Sequence, residues 1–330
     1  MARLSLANAE VAFEAGCVVP GARNRCWVTS LATLLGPMAR QEIRREQTGL
    51  AALSAIVLSH LVEAGLRLTR ADRVVFPAHH LLTTSLYDDG QAEHLRAAAG
   101  DIAAVFPDRA VVLRSLNRPH HERVLAQGGT LWPVRVVWII DDMTRDWRPR
   151  RDVRRDLQGL ESSGLARRRY GAAMPAAALD RVVALYRRLY IERYSRHNPD
   201  YTADYIQACL AAGELEILTL EGNDDDIVAF CALHRRGRVL SVPMLGYDQG
   251  REGLYRFVMA LPALEAEAKG LALNLSAGAS RFKRHRGAKP HVEYLLIQGG
   301  HLPAWRRLAY RATAALLQAL EPQLIRAATR

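Results

Sequence analysis

The chain has almost no lysine. Of its 45 Lys plus Arg residues only three are lysines, Lys269, Lys283 and Lys289. It also lacks paired cysteines: Cys17, Cys26, Cys209 and Cys231 form no CxxC. Redox and metal motifs depend on such spacing, so buried free thiols are expected instead. The pairs His79-His80 and His120-His121 lack metal-ligand spacing, and HHERV is not HExxH, so no metal and no bound cofactor is expected. No apolar run reaches the ~18–20 residues that cross a bilayer. The nearest, LAALSAIVLSHLVEAGL at 50–66, is broken by His60 and Glu63 and reads as a buried helix. The opening MARLSLANAEV has no apolar stretch of the kind a secretion signal needs, so a cytoplasmic protein is expected. No low-complexity tract and no strong repeat stands out.

What is present is an ordinary globular composition, 49% hydrophobic and 24% charged over 330 residues. That length suggests about two domains of ~150 residues. The net charge of +11 favours anionic partners such as nucleic acid, phosphates or acidic lipid. An Arg-heavy, Ala-rich composition also follows from a GC-rich genome without any partner. The charge is clustered, however. RDWRPRRDVRRDLQGLESSGLARRR (145–169) holds nine arginines, and RFKRHRGAK (281–289) holds five basic side chains.

The first 150 residues alternate helical and strand patterns. DRVVFP, RAVVLRSL and WPVRVVWIIDD read as strands, the last apolar enough for a sheet covered on both faces. GQAEHLRAAAGDIAAVF and HHERVLAQGG read as helices, as does the proline-initiated WRPRRDVRRDLQGLESSG. From residue 174 the order is clearer. A long amphipathic helix runs through LDRVVALYRRLYIERY, and a second follows with Thr202 as N-cap and Gly213 as stop. Three strands joined by Gly/Asn/Asp turns come next. Then come a helix kinked at Pro262, the strand LALNLS, the short basic AGASRFKRHRG and the strand HVEYLLIQGG. The tail is a helix, or two helices interrupted near Pro322.

The residues LYIERYSRHNPDYT (189–202), GELEILTL (213–220), MLGYD (244–248) and NLSAGASRFKRHRGAKPHVEY (274–294) carry a family likeness. The region 174–300 resembles the FemAB-like branch of the GNAT acyltransferase superfamily, which includes the Fem aminoacyltransferases. The resemblance implies an α/β (α+β) chain of two tandem GNAT-like subdomains. These would be a diverged one at 1–165, a catalytic one at 166–300, and a helical tail at 301–330. It implies acyl transfer to an amine, with aminoacyl-tRNA as co-substrate and acyl-CoA as the alternative donor. In the Fem enzymes a Phe-Lys pair faces the reacting carbonyl, and Phe282-Lys283 matches it. The resemblance therefore gives Lys283 the oxyanion and Phe282 a positioning role. A fixed cation aimed at a tetrahedral oxyanion is worth on the order of 10²–10³ in rate. An ammonium on a flexible stem serves there as a point charge.

Asp248, at the end of the strand before the donor helix, is the candidate proton acceptor or ammonium ligand. Arg284, Arg286, Arg251 and Gly253 are candidates for the donor's phosphates, and Ser276 shapes the turn that leads to them. Tyr190, Arg193, His197, Asn198 and Tyr247 are the acceptor-side candidates, the acceptor being a small molecule or a peptide. Glu293 and Tyr294 pack or pair on the last strand. QGREGL (249–254) departs from the Q/R-x-x-G-x-G/A loop that holds coenzyme A in ordinary GNAT enzymes, and its Glu252 repels phosphate. Two plainer readings stand beside this one: FKRHRG as a solvated basic helix, and the whole chain as a non-catalytic GNAT-fold protein that binds RNA. No motif fixes an oligomeric state.

Overall fold

The computed structural model describes residues 6–21, 24–223 and 226–329. The first five residues, read above for a leader, lie outside these, as do Asp224 and Asp225 of one Gly/Asn/Asp turn. In chain order the first elements are strands β1 (Val11–Glu14) and β2 (Cys17–Pro20) and helices α1 (Leu31–Thr33), α2 (Ala39–Glu46) and α3 (Gly49–Leu68). Next come β3 (Val74–Pro77), α4 (Gln91–Ala97), α5 (Ala99–Val105), β4 (Ala110–Leu116), α6 (Arg118–Ala126), β5 (Thr130–Ile140) and α7 (Arg151–Ser162). The second half runs β6 (Ala166–Tyr170), α8 (Ala176–Tyr186), α9 (Ala203–Ala211), β7 (Glu216–Glu221), β8 (Ile227–Arg236) and β9 (Val239–Tyr247). It ends with α10 (Leu254–Ala268), β10 (Ala272–Asn274), α11 (Ser280–His285), β11 (Lys289–Gln298) and α12 (Ala304–Thr329).

Among the described residues, eleven strands join one mixed sheet in the order β1-β2-β3-β4-β11-β5-β10-β9-β8-β7-β6. The last strand of the second half inserts between two strands of the first, pairing antiparallel with β5 from Lys289↔Ile139 to Ile297↔Thr130 and with β4 on its other edge. β7, β8 and β9 form the antiparallel meander expected from their turns. Both faces of the sheet are covered, which is why β4, β5, β8 and β9 are near-continuous apolar runs. Thr202 caps α9 by accepting the Tyr205 N–H at 3.2 Å, and Gly213 takes the left-handed conformation after it (φ 69°).

The structure decides between the alternatives for the tail and changes the expectations for two other helices. α12 is one helix that contains Pro322, and α10 runs continuously through Pro262. α3 is a helix but is not buried. Only Ala52, Ser59 and Leu66 are fully buried, with Val62 packed partly against the core, while Leu50 and Leu68 are each 83% exposed. At 20 residues it is also long and apolar enough to cross a membrane by length and composition. β6 was hidden inside the arginine cluster: ARRRY pairs with β7 as an edge strand with its side chains mostly outward.

The feature that positions a site lies between β9 and β10. They pair in parallel for three residues only, Ala272↔Val239 to Asn274↔Ser241. Beyond that point the chain after β10 stays with β5, through Leu275 N–H to Trp138 O (2.8 Å) and Trp138 N–H to Ser276 O (3.1 Å). β9 continues to Tyr247 with β8. A wedge opens between them.

Candidate active site

The base of the wedge is filled by a polar knot from both halves. Arg135 of β5 donates to both carboxylate oxygens of Glu293 of β11 (2.7 and 3.0 Å) and to Thr83 O (2.7 Å). Glu293 is fully buried. A buried carboxylate is tolerable only with such a bidentate partner. Thr83 Oγ1 reaches Pro243 O of β9 at 3.5 Å, so the segment after β3 bridges the two sides of the wedge. Trp27 sits under two guanidiniums, with Arg114 and Arg135 5.0 and 5.1 Å from its ring. At the apex, Asn274 Oδ1 accepts the Ser276 N–H (2.9 Å), while its buried Nδ2 has no protein partner.

The turn after β10 leads from this knot to Lys283. Ser276 and Ala279 take left-handed backbone (φ 58° and 48°), a conformation costly for residues with a Cβ. Lys283 holds the turn in place. Its Nζ donates to the carbonyls of Leu275 (2.6 Å), Ser276 (3.1 Å) and Ala277 (2.7 Å). The side chain is buried, and burial, with nearby Arg135, pulls the ammonium down to about 7. Three carbonyl acceptors match the three N–H bonds of the protonated form. All three donors are thus spent within the protein, and in this arrangement the ammonium points at the turn.

Phe282, one residue earlier, faces the mouth of the wedge. Its ring lies 4.7 Å from that of Tyr255, which lies 5.7 Å from that of Tyr247. Arg286 stacks on Phe282 at 3.6 Å and forms a buried ion pair with Asp156 of α7 (2.5 Å). It acts as a structural buckle here, with its Nε on Asp156 and its Nη1 on Phe282 O. Arg284 is exposed and donates to Thr329 O (2.8 Å).

At the rim, Asp248 follows Tyr247 and is held by Arg181 (2.9 Å) and Arg188 (3.5 Å). Arg193 donates to Gln249 Oε1 (2.5 Å). Arg188, Glu192, Arg193, Asp248, Gln249, Gly250 and Arg251 line an open cleft of ≈ 670 Å³. Gly253 enters α10 with φ 85°, and a Cβ there would lie 2.9 Å from the Phe257 ring, so the position requires glycine. Arg193, Asp248 and Arg251 thus share one cleft, and the Tyr247–Tyr255–Phe282 aromatic row starts from the residue next to Asp248.

Of the other acceptor-side candidates, Asn198 and His197 point elsewhere, while Tyr190 packs in the same cluster as Tyr247, Tyr255 and Phe282. Asn198 is buried, accepting from Trp27 Nε1 (3.0 Å) and donating to Tyr190 O (2.9 Å), and so ties the N-terminal segment to the second half. His197 contacts Arg25 O (3.2 Å) and lines a separate cleft with Arg40, Arg44 and His60. Tyr190 stacks on Tyr186 (4.9 Å) in an aromatic column, and burial raises its hydroxyl pKa. Sequence reasoning missed Arg135, Thr83, Trp27 and Tyr255. Arg135 did carry a signal, a single charge within the apolar run WPVRVVWII. Among the described residues no cluster of His, Cys, Asp and Glu could hold a metal.

Residues 148–284 match the sequence model of the acetyltransferase (GNAT) domain. This span contains α7, the meander, α10 and the Phe282-Lys283 pair. No curated protein matches the chain. Similar solved structures include L-PGS from Bacillus licheniformis, with 16% identity, TM-score 0.49, and 73% of this chain and 82% of that one covered. Another is the C-terminal domain of a putative lysylphosphatidylglycerol synthetase from Agrobacterium fabrum, with 15% identity, TM-score 0.48, and 71% and 79% covered. FemX is similar at 10% identity, TM-score 0.48, with 68% and 81% covered. The chain carries an acetyltransferase (GNAT) domain over residues 148–284, within a GNAT-like α/β fold, and is an acyltransferase.

Proposed function

We propose that the chain moves an aminoacyl group from aminoacyl-tRNA to an amine acceptor at the mouth formed by Tyr247, Asp248, Tyr255 and Phe282. The observation that carries the choice of donor is the surface beside that mouth. Asp156 and Asp152 of α7 turn toward the α11 segment, where they meet Arg286 (2.5 Å) and His285 (3.2 Å). Arg151 and Arg154 of α7 and Arg281 of α11 are exposed beside them, with Arg155, which also pairs with Asp152 (3.0 Å), and Arg284 at the same surface. An arginine face of this extent suits a polynucleotide backbone better than one pyrophosphate. Its inner edge is Phe282, so a bound acceptor stem would end at the aromatic mouth.

In this reading Asp248 takes a proton from the attacking amine or holds its ammonium, and Phe282 and Tyr255 exclude water and stack on the donor's terminal base. Lys283 acts one step removed. Direct contact with the oxyanion would require it to release one of its three carbonyls, so we assign it to fixing the Ser276 turn that shapes the wedge. The reading is Fem-like in donor and in site placement, with a cytoplasmic setting where charged tRNA is available. Coenzyme A remains the rival donor, entering through the turn 249–253 at the start of α10.

The test is equilibrium binding of charged tRNA at increasing salt, with wild type and Arg154→Glu/Arg281→Glu. Wild type should bind with affinity falling steeply with salt. The variant should bind at least about tenfold more weakly with a shallower slope, since each lost phosphate contact removes counterion release. Equal binding by both proteins would refute the arginine face as the donor track.

A further inference from the structure

α3 presents the wrong face to water. At 3.6 residues per turn, Leu50, Leu53, Val57, Leu61, Ala64 and Leu68 fall on one side, opposite the buried Ala52, Ser59 and Leu66. A helix on the surface of a soluble protein turns its polar side outward. Here the outward side is apolar over the whole helix: Leu50 is 83% exposed, Leu53 57%, Val57 51%, Leu61 65% and Leu68 83%. No charged residue interrupts the stripe. A contiguous apolar surface of this kind marks an interaction site.

The charge around the stripe selects the occupant. Arg44 and Arg45 precede the helix, and Arg67 and Arg70 stand at its end, all four exposed, with Arg45 also donating to Arg193 O (3.1 Å) and stacking on Tyr194. The one carboxylate on α3, Glu63, faces sideways and is held by Arg40 (2.8 Å) and Arg67 (3.0 Å). A second copy packed stripe to stripe, parallel or antiparallel, would bring arginine-flanked ends against each other, in a chain of net charge +11. An anionic lipid surface instead accepts the leucines between its headgroups and attracts both ends. The helix does not cross such a membrane. Its inner side is fixed in the protein, with Ser59 Oγ donating to Leu35 O (2.6 Å) and Leu66 in the core.

We propose that α3 is a peripheral docking helix for anionic membrane surfaces, lying in the interface with its leucine stripe inserted and its flanking arginines at headgroup level. The leucine stripe shares no residue with the acyl-transfer mouth, and the proposal does not depend on the donor assignment.

The test is flotation of the full chain with vesicles of phosphatidylcholine alone and of phosphatidylcholine mixed with an equal amount of phosphatidylserine. Wild type should float with the mixed vesicles, and at least about tenfold less with the neutral ones. Leu53→Gln/Leu61→Gln alters exposed side chains only, so it should keep the wild-type Tm yet lose about tenfold or more in partitioning. Failure of wild type to float with anionic vesicles, or equal flotation of variant and wild type, would overturn the proposal. A wild-type dimer in solution that the double variant lacks, without vesicle binding, would also overturn it and assign the stripe to a second copy.

Discussion

Lys283 shows how much a single residue can and cannot reveal from sequence. Its rarity in an arginine-dominated chain marked the turn 275–283 as unusual, and it proves to be the buried staple of that turn. Its reach back to three carbonyls was not legible, because the strand and the left-handed residues that aim them are set by tertiary packing. A consequence follows for Lys283→Met. Each buried carbonyl left without a donor costs roughly 1–3 kcal/mol, so this variant should lose several kcal/mol of stability as well as turnover. Urea denaturation checks it; an unchanged midpoint would mean that the staple contributes nothing. Asp248→Asn removes the charge at the mouth while keeping the shape. Its turnover should fall on the order of 10²-fold with the fold intact, as measured by single-turnover transfer and circular dichroism.

The histidines give a pH dependence of defined sign. His121 and His234 are buried, which lowers each to about 4. His234 Nδ1 donates to Glu214 O (2.9 Å) and its Nε2 has no protein partner, which suits the neutral ring. Unfolded, both rings would take up protons near pH 6.5, but in the fold only near pH 4. The unfolded state therefore binds more protons between these values, and stability falls as pH drops from 6.5 toward 4. Thermal melts at steps across that range should show Tm declining. A flat profile would contradict the neutral buried state of both rings.

At the scale of elements, periodicity served where one face met the core and failed where it did not. The α8–α9 pair, the β7–β9 meander and α10 followed from spacing, caps and turn residues. β6 did not, because an edge strand of ARRRY with outward arginines has no apolar face to detect. α3 was found as a helix but placed inside, since an apolar run has the same pattern whether its outer face meets protein or solvent. The arginines of α7 and α11 were visible as clusters. Their sorting into buckle and exposed track depends on Asp152 and Asp156 meeting His285 and Arg286, contacts across more than a hundred residues that spacing cannot show. Asp156→Ala should therefore leave Arg286 buried and uncompensated, costing about 3–5 kcal/mol, whereas Arg154→Ala on the exposed side should change stability by less than about 0.5 kcal/mol. Chemical denaturation of the two variants distinguishes buckle from track; equal losses would erase the distinction.

At the scale of the molecule, one sheet unites both halves, and β11 crosses from the second into the first. The wedge base is accordingly shared: Arg135 and Thr83 come from one half, Glu293 and Pro243 from the other. The acetyltransferase (GNAT) domain match covers 148–284, so part of this base lies outside it. The most direct test of the proposed donor is a thermal-shift titration of the full chain with aminoacyl-tRNA, with uncharged tRNA and with acetyl-CoA. A ligand that binds the native state alone at about 100 times its Kd adds about 2.7 kcal/mol, a rise of several degrees for a chain of this size. Saturable stabilisation by aminoacyl-tRNA, greater than by uncharged tRNA and absent with acetyl-CoA, is the predicted result. Stabilisation by acetyl-CoA with none from charged tRNA would contradict it.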